Sequence, residues 1–340
     1  MLYSSPKEIE DHLIASPGVF VLAERSDPLS PQEEEALLFC KEGIRLTRRG
    51  EYDQALRWFS RALSTDPSCS DAWVARGVTL GKMGRFAEEI ESCERALEID
   101  PALSMALVHK GFALGRMGKF QEKISCCDEA LRINPANAMA WNAKGHAHGE
   151  LGDFEEELRC SEIALSLRPR YLGAWMNQGY SLMMLRRTHE AISSFSEAIC
   201  LFPGYFSAWV NKGIAHVIAG EPEKALESFQ KAEELRPGNG RLWFWKSISL
   251  SMTGDYGESA RTMEMVTRAE PHNADAWVVL SNSYLMLGRI EDSVRCFFTA
   301  YRIDKDDLTQ CFSRSVSLIR DKNFREARRS LTDALGILAR

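Results

Sequence analysis

Residues 138–171 read AMAWNAKGHAHGELGDFEEELRCSEIALSLRPRY, and residues 172–205 read LGAWMNQGYSLMMLRRTHEAISSFSEAICLFPGY. Laid one above the other, these 34-residue stretches share Trp at their fourth position, Gly at the eighth, Ala at the twenty-seventh and Pro at the thirty-second. The same frame extends in both directions. Pro67, Pro101, Pro135, Pro169, Pro203, Pro237 and Pro271 are spaced by 34, and Gly43, Gly77, Gly111, Gly145, Gly179 and Gly213 repeat in the same register. Trp73, Trp141, Trp175, Trp209, Trp243 and Trp277 follow it too, with Leu107 in the missing place. A fixed period of this length marks a chain built from stacked supersecondary units.

The physics of one unit follows from its spacing. Positions 4, 8 and 11 are apolar or small at helical intervals, so residues 1 to 14 of a unit make one helix with a buried stripe, and positions 20, 24 and 27 do the same for a second. Gly84, Gly118, Gly152, Gly220, Gly254 and Gly288 stand at position 15. A glycine there ends the first helix in a left-handed conformation and lets the second fold back antiparallel. Small residues at 8 and 27 allow close approach, and the tryptophan at 4 is expected to be buried between units. Proline at 32 stops the second helix and turns the chain into the next unit. One hairpin cannot cover its own apolar faces, whereas stacked neighbours can.

This pattern resembles the tetratricopeptide repeat. The resemblance implies an all-α fold, a right-handed α-solenoid or superhelix of antiparallel helix pairs. Eight repeats run over residues 36–307, and residues 308–340 form a degenerate ninth with Leu318, Phe324, Ala327, Leu331 and Ala334 in register. Residues 1–35 lie outside the frame as an acidic extension of net charge -6. Ser5, Pro6 and Glu8 predict a short helix there, and Ser30, Pro31 and Glu33 predict a capping box before the first repeat.

Composition bounds the function. With 45% hydrophobic and 26% charged residues among 340, the chain is globular. A net charge of -6 argues against a dedicated nucleic-acid binder. Nine cysteines without a CxxC fit a reducing, cytoplasmic compartment. The apolar run at residues 18–23, GVFVLA, is too short to span a membrane and lacks the basic flank of a signal, so no membrane association is expected.

No catalytic constellation emerges, and the chain reads as a non-enzyme that binds no cofactor or metal. His148 and His216 fall at position 11, where core packing is expected. His109 and His146, at positions 6 and 9 of adjacent repeats, could share a ligand but lack a third partner. Cys93 and Cys127 at position 24, and Cys126, Cys160 and Cys296 at position 23, read as small hydrophobes.

The resemblance also implies a function: first helices line a groove that binds protein segments, with positions 2, 5, 6, 9, 12 and 13 facing inward. The carboxylate clamp of chaperone-binding members is missing. The implied role is a scaffold or adaptor that takes a peptide of a protein partner. In repeats five to seven the groove positions hold Met176, Asn177, Tyr180, Met183, Met184, Val210, Asn211, Ile214, Val217, Ile218, Phe244, Trp245, Ile248 and Met252. The asparagines match those with which some members hold a peptide backbone, and the methionines and aromatics suit varied apolar side chains. In repeats two to four, Gly81, Gly115 and Gly149 at position 12 coincide with Glu89, Lys123 and Glu157 at position 20, where several repeats have Ala. Divergence of a duplicated unit or approach by another chain accounts for the glycines, and the alternating charges are expected to pair where their ends reach solvent. A self-assembling structural protein is the alternative function and a nucleic-acid-binding array a third. The acidic start and the +4 charge of residues 308–340, beside Leu331, Leu335 and Leu338, suggest weak end-to-end self-association.

Overall fold

The structure, a computed structural model, describes residues 30–304. They form sixteen helices, and there is no strand among the described residues. In chain order these are α1 (Pro31–Arg48), α2 (Tyr52–Thr65), α3 (Ser70–Lys82), α4 (Phe86–Ile99), α5 (Ser104–Arg116), α6 (Phe120–Ile133), α7 (Ala138–Glu150) and α8 (Phe154–Leu167). They continue with α9 (Leu172–Met184), α10 (Thr188–Leu201), α11 (Phe206–Ile218), α12 (Pro222–Leu235), α13 (Gly240–Thr253), α14 (Tyr256–Ala269), α15 (Ala274–Met286) and α16 (Ile290–Ile303). Odd-numbered helices are the first of each pair and even-numbered the second, so the architecture is an α-solenoid of helix hairpins. The short helix expected near residue 8, the degenerate ninth repeat and the apolar end around Leu331 lie outside the described residues.

The chain divides into two compact units, one ending at Arg186 and the other beginning at Arg187. In the first unit α1, α3, α5 and α7 each pack on their own partners and on the odd helix of the next repeat, the last of these being α9. The even helices α2, α4, α6, α8, α12 and α14 lie between two odd ones, and within each unit no even helix meets another even helix to a comparable extent among the described residues. The odd helices therefore make the tighter, continuous face. In the second unit α11, α13 and α15 repeat this arrangement.

Local sequence sets the ends of these helices. Ser30 and Glu33 form the expected capping box, with Ser30 N–H donating to Glu33 Oε2 at 2.7 Å. Asn137, Asn239 and Asn273, each the last residue of a repeat, accept from backbone N–H groups in the first turn of the next odd helix. Asp153 and Asp255 do so for α8 and α14. Each such cap is worth about 1 kcal/mol. Between paired helices, Gly118 has φ 76° and Gly152 φ 84°, and the next residue's N–H reaches back to close the turn, Asp153 N to His148 O at 2.9 Å. The fifth repeat departs from the rule: Arg186 takes this position with φ 62°.

The paired tryptophan and proline have a shared purpose that spacing alone did not disclose. The indole Nε1 of Trp73, Trp141, Trp175, Trp209 and Trp277 donates to the carbonyl of the proline six residues earlier, at 2.8 to 3.1 Å. These rings are half-buried rather than buried, because the bond holds them at the rim of the turn. Trp243 instead donates to Glu233 Oε1 at 3.2 Å.

Candidate functional site

Position 20 takes one of three forms, and each is matched by its neighbour across the hairpin. In repeats one and six a buried alanine, Ala55 or Ala225, accompanies a position-8 glycine. In repeats seven and eight serines occupy both positions, and Ser247 and Ser281 donate to the carbonyls of Ser259 and Ser293 at 2.9 and 2.8 Å. In repeats two to four the residue is charged and buried: Glu89 is 4% exposed, Lys123 0% and Glu157 2%.

These charges do not reach solvent, which corrects the expectation that they pair at the surface. The physical reason is the glycine at position 12. A Cβ on Gly81 would stand 2.8 Å from Glu89 Oε1, one on Gly115 2.8 Å from Lys123 Cδ, and one on Gly149 2.7 Å from Glu157 Oε1. The missing methyl is the space into which the charged side chain folds, so glycine and charge change together.

A polar cluster surrounds them. Lys123 Nζ donates to His146 Nδ1 at 3.2 Å and lies 5.6 Å from the centre of the Phe112 ring. His146 Nε2 is 4.0 Å from Glu150 Oε1. Asn177 Nδ2 donates to Asn142 Oδ1 at 3.1 Å, and Ser181 Oγ donates to the Asn177 carbonyl at 2.9 Å. Burial alone holds His109 down at about 4, and its Nε2 has no partner. Burial lifts the Glu157 carboxyl to about 8, above the range of an ordinary carboxylate.

The histidines and cysteines divide as follows. His148 Nδ1 meets Asp153 Oδ2 at 3.2 Å and His216 Nδ1 meets Glu221 Oε2 at 2.7 Å, each tying the end of an odd helix to the start of its partner. No group of three or more His, Cys, Asp or Glu among the described residues has the arrangement to hold a metal ion. Burial pushes the thiols of Cys127 and Cys160 up to about 12 and that of Cys296 to about 11, so they remain protonated and unreactive at neutral pH.

The fourteen residues expected to line a groove fall into three groups. Met176, Asn177, Met183, Val210, Asn211, Ile214 and Val217 are buried. The asparagine amides are engaged within the protein, Asn177 with Asn142 and Asn211 Oδ1 with Arg241 Nη2 at 2.9 Å. Tyr180, Met184, Ile218, Phe244, Trp245 and Ile248 are half-buried. Met252 is 47% exposed. Within the second unit, Trp245, Ile248 and Met252 follow one another at i, i+3 and i+7 along one stripe of α13. Phe244 packs beside Trp245 with ring centroids 5.8 Å apart and leans on the core formed by Met263, Val266 and Leu280. The sequence pointed to this stripe but not to Asn142, Ser181 or the buried state of Glu157. The one signal for the last was the coincidence of glycine at position 12 with charge at position 20.

No helix among the described residues is long and apolar enough to cross a membrane. No curated protein sequence matches the chain. Among solved structures, the chain is similar to pilF of Pseudomonas aeruginosa, with 17% identity over 63% of this chain and 97% of the other and a TM-score of 0.56. It is similar also to PilW, a type IV pilus biogenesis factor, at 20% identity, 61% and 96% coverage and a TM-score of 0.56. A tetratricopeptide repeat protein from Parabacteroides merdae aligns at 12% identity, 74% and 99% coverage and a TM-score of 0.54. These likenesses speak to the fold. Three tetratricopeptide repeat family models match residues 40–104, 176–240 and 248–307, residues 126–159, and residues 106–137. The first alone covers more than half of the sequence, and the chain belongs to the tetratricopeptide repeat family.

Proposed function

We propose that this protein is a non-enzymatic interaction scaffold that holds a peptide segment of a partner protein against the odd-helix face, with the stripe Trp245, Ile248 and Met252 as the contact in the second unit. The observation that carries the reading is the partial exposure of this stripe, whose outer end Met252 is open to solvent while Trp245 and Ile248 are half-buried. A large indole, a branched aliphatic and a flexible thioether stand in sequence on one helix face, and Met252 is 47% exposed. Flexible and aromatic side chains of this kind accommodate varied apolar partners. Ile218 and Phe244, half-buried on α11 and α13, extend the same chemistry. Met184 and Tyr180 offer it on α9 in the first unit. The buried asparagines support the architecture in this reading, since their amides already bond to neighbours.

Free cysteines, most of them buried, support a reducing compartment, the cytoplasm. Self-association through the ends of the array remains the alternative form of the same scaffold, and residues 308–340, on which it rests, lie outside the described residues. Changing Ile248 and Met252 together to Glu tests the reading by partner capture at matched helical content. Loss of capture with the array folded supports it; undiminished capture by the folded variant refutes the assignment.

A further inference from the structure

We propose that residues 6–15, outside the described residues, dock as a helix on the open face of α1, in the place that the second helix of the preceding repeat takes on later first helices. The contact belongs to the first unit and is independent of the partner-binding reading. It stands first on a comparison of equivalent positions. Position 3 of a repeat is Ala72, Ala106, Ala140 or Ala174 in the rest of this unit, and each is fully buried. The preceding even helix supplies the cover: Ala72 shares a core with Ala62 of α2, Ala106 with Ala96 of α4, and Ala140 with Ala130 of α6. In the first repeat position 3 is Leu38, which is 63% exposed, and no helix precedes α1 among the described residues. A leucine this open, where its counterparts are sealed, marks an inter-repeat surface that lacks its cover.

The second support is the chemistry along this face. Leu38, Arg45 and Arg49 fall at i, i+7 and i+11, one stripe of α1 that is apolar at its start and cationic at its end. Position 10 is small and buried at Thr79, Ala113, Ala147 and Ser181, whereas Arg45 in the first repeat is exposed. Glu42, between Leu38 and Arg45, accepts from Arg45 Nε at 2.8 Å. Residues 6–15, PKEIEDHLIA, carry the complementary order: Glu8, Glu10 and Asp11 come first, against the one cation Lys7, and Leu13 and Ile14 come last, with Ile9 one turn before Leu13. Ser5 and Glu8 supply a capping box and Pro17 a stop. Successive helices of the array run antiparallel. A helix laid on α1 in the same sense sets its acidic end beside Arg45 and Arg49 and its apolar end over Leu38. The lengths agree, about 15 Å for residues 6–15 against about 16 Å from Leu38 to Arg49. Residues 16–29 then return to Ser30 at the start of α1, well within their reach at up to about 3.3 Å each. Docked in this way, the helix closes the first face of the array to other chains.

Hydrogen exchange of the full chain tests the contact. A helix this short is marginal in water by itself, so protection of the amides of residues 9–15 reports docking. These amides should be protected in the wild type. Leu38→Glu should lower that protection by about tenfold or more while the amides of α3 to α6 keep theirs. Leu38 is exposed in the array, so the substitution leaves the array's own core in place. Leu13→Glu, which alters nothing between α1 and α16, should give the same loss. Unprotected amides at residues 9–15 in the wild type, or protection that survives either substitution, overturns the proposal. Protection that falls on dilution of the wild type also overturns it, because the face would then be covered by a second copy of the chain.

Discussion

Two glycines at the same repeat position should respond in opposite ways to the same substitution. A Cβ added to Gly213 would meet the Phe229 ring, with Cδ1 at 2.7 Å and Cζ at 2.8 Å, and Phe229 is fully buried and has nowhere to swing. Overpacking of this kind costs about 1 to 3 kcal/mol, offset by the gain of about 1 kcal/mol when a helical glycine becomes alanine. Gly213→Ala should therefore lose about 1 kcal/mol on balance. At Gly111 the residue facing it is Cys127, and a Cβ would find nothing nearer than Cys126 Cβ and the Lys123 carbonyl at 3.6 Å. That is ordinary contact, so Gly111→Ala keeps the propensity gain and should stabilise by up to about 1 kcal/mol. Urea unfolding followed by circular dichroism measures both as midpoint shifts, which suit an array whose repeats couple to their neighbours. Midpoints moving the same way in both variants would refute the reasoning. So would failure of Phe229→Leu to relieve the cost of Gly213→Ala.

Three further outcomes follow from the same geometry. Gly115→Ala and Lys123→Ala should each destabilise alone, by a clash with Lys123 Cδ and by an emptied cradle, yet the double variant should cost less than their sum, a coupling of 0.5 kcal/mol or more on the scale of about 0.5 to 3 for residues in contact. Trp141→Phe should cost about 1 kcal/mol through the lost bond to the Pro135 carbonyl at 2.9 Å, as read by thermal unfolding. His109, held down at about 4 by burial, contributes stability that is present above its ordinary value near 6.5 and is lost as pH falls through about 4. Unfolding midpoints measured from pH 7 to 4 should fall more steeply in the wild type than in His109→Leu.

The helix pairs were legible because they depend on spacing. A 34-residue period in Trp, Gly and Pro places every hairpin, and the helices α3 to α16 begin and end within a residue or two of the frame. Glycine at position 15 announced its positive φ in the same way, and Arg186 is where tertiary context imposes the turn on a residue that does not favour it. What spacing does not encode is which side chains are covered. Glu89, Lys123 and Glu157 read as surface charges because such residues are rarely buried, and their burial depends on a glycine eight residues away in sequence and across the hairpin. Asn177 and Asn211 read as free amides because the partners that engage them, Asn142 and Arg241, lie 35 and 30 residues distant. The stripe on α13 was visible because it is local to one helix.

Whether the stripe of α13 receives a partner's peptide is read by a photocrosslinking amino acid placed at Met252. Met252 is exposed, so the probe should leave the fold intact. Irradiation in the native cell, with Lys231 on the exposed face of α12 carrying the same probe as a control, should give adducts at position 252 that map to one contiguous apolar segment of a protein partner. Equal labelling from both positions, or no adduct from position 252, would contradict the claim.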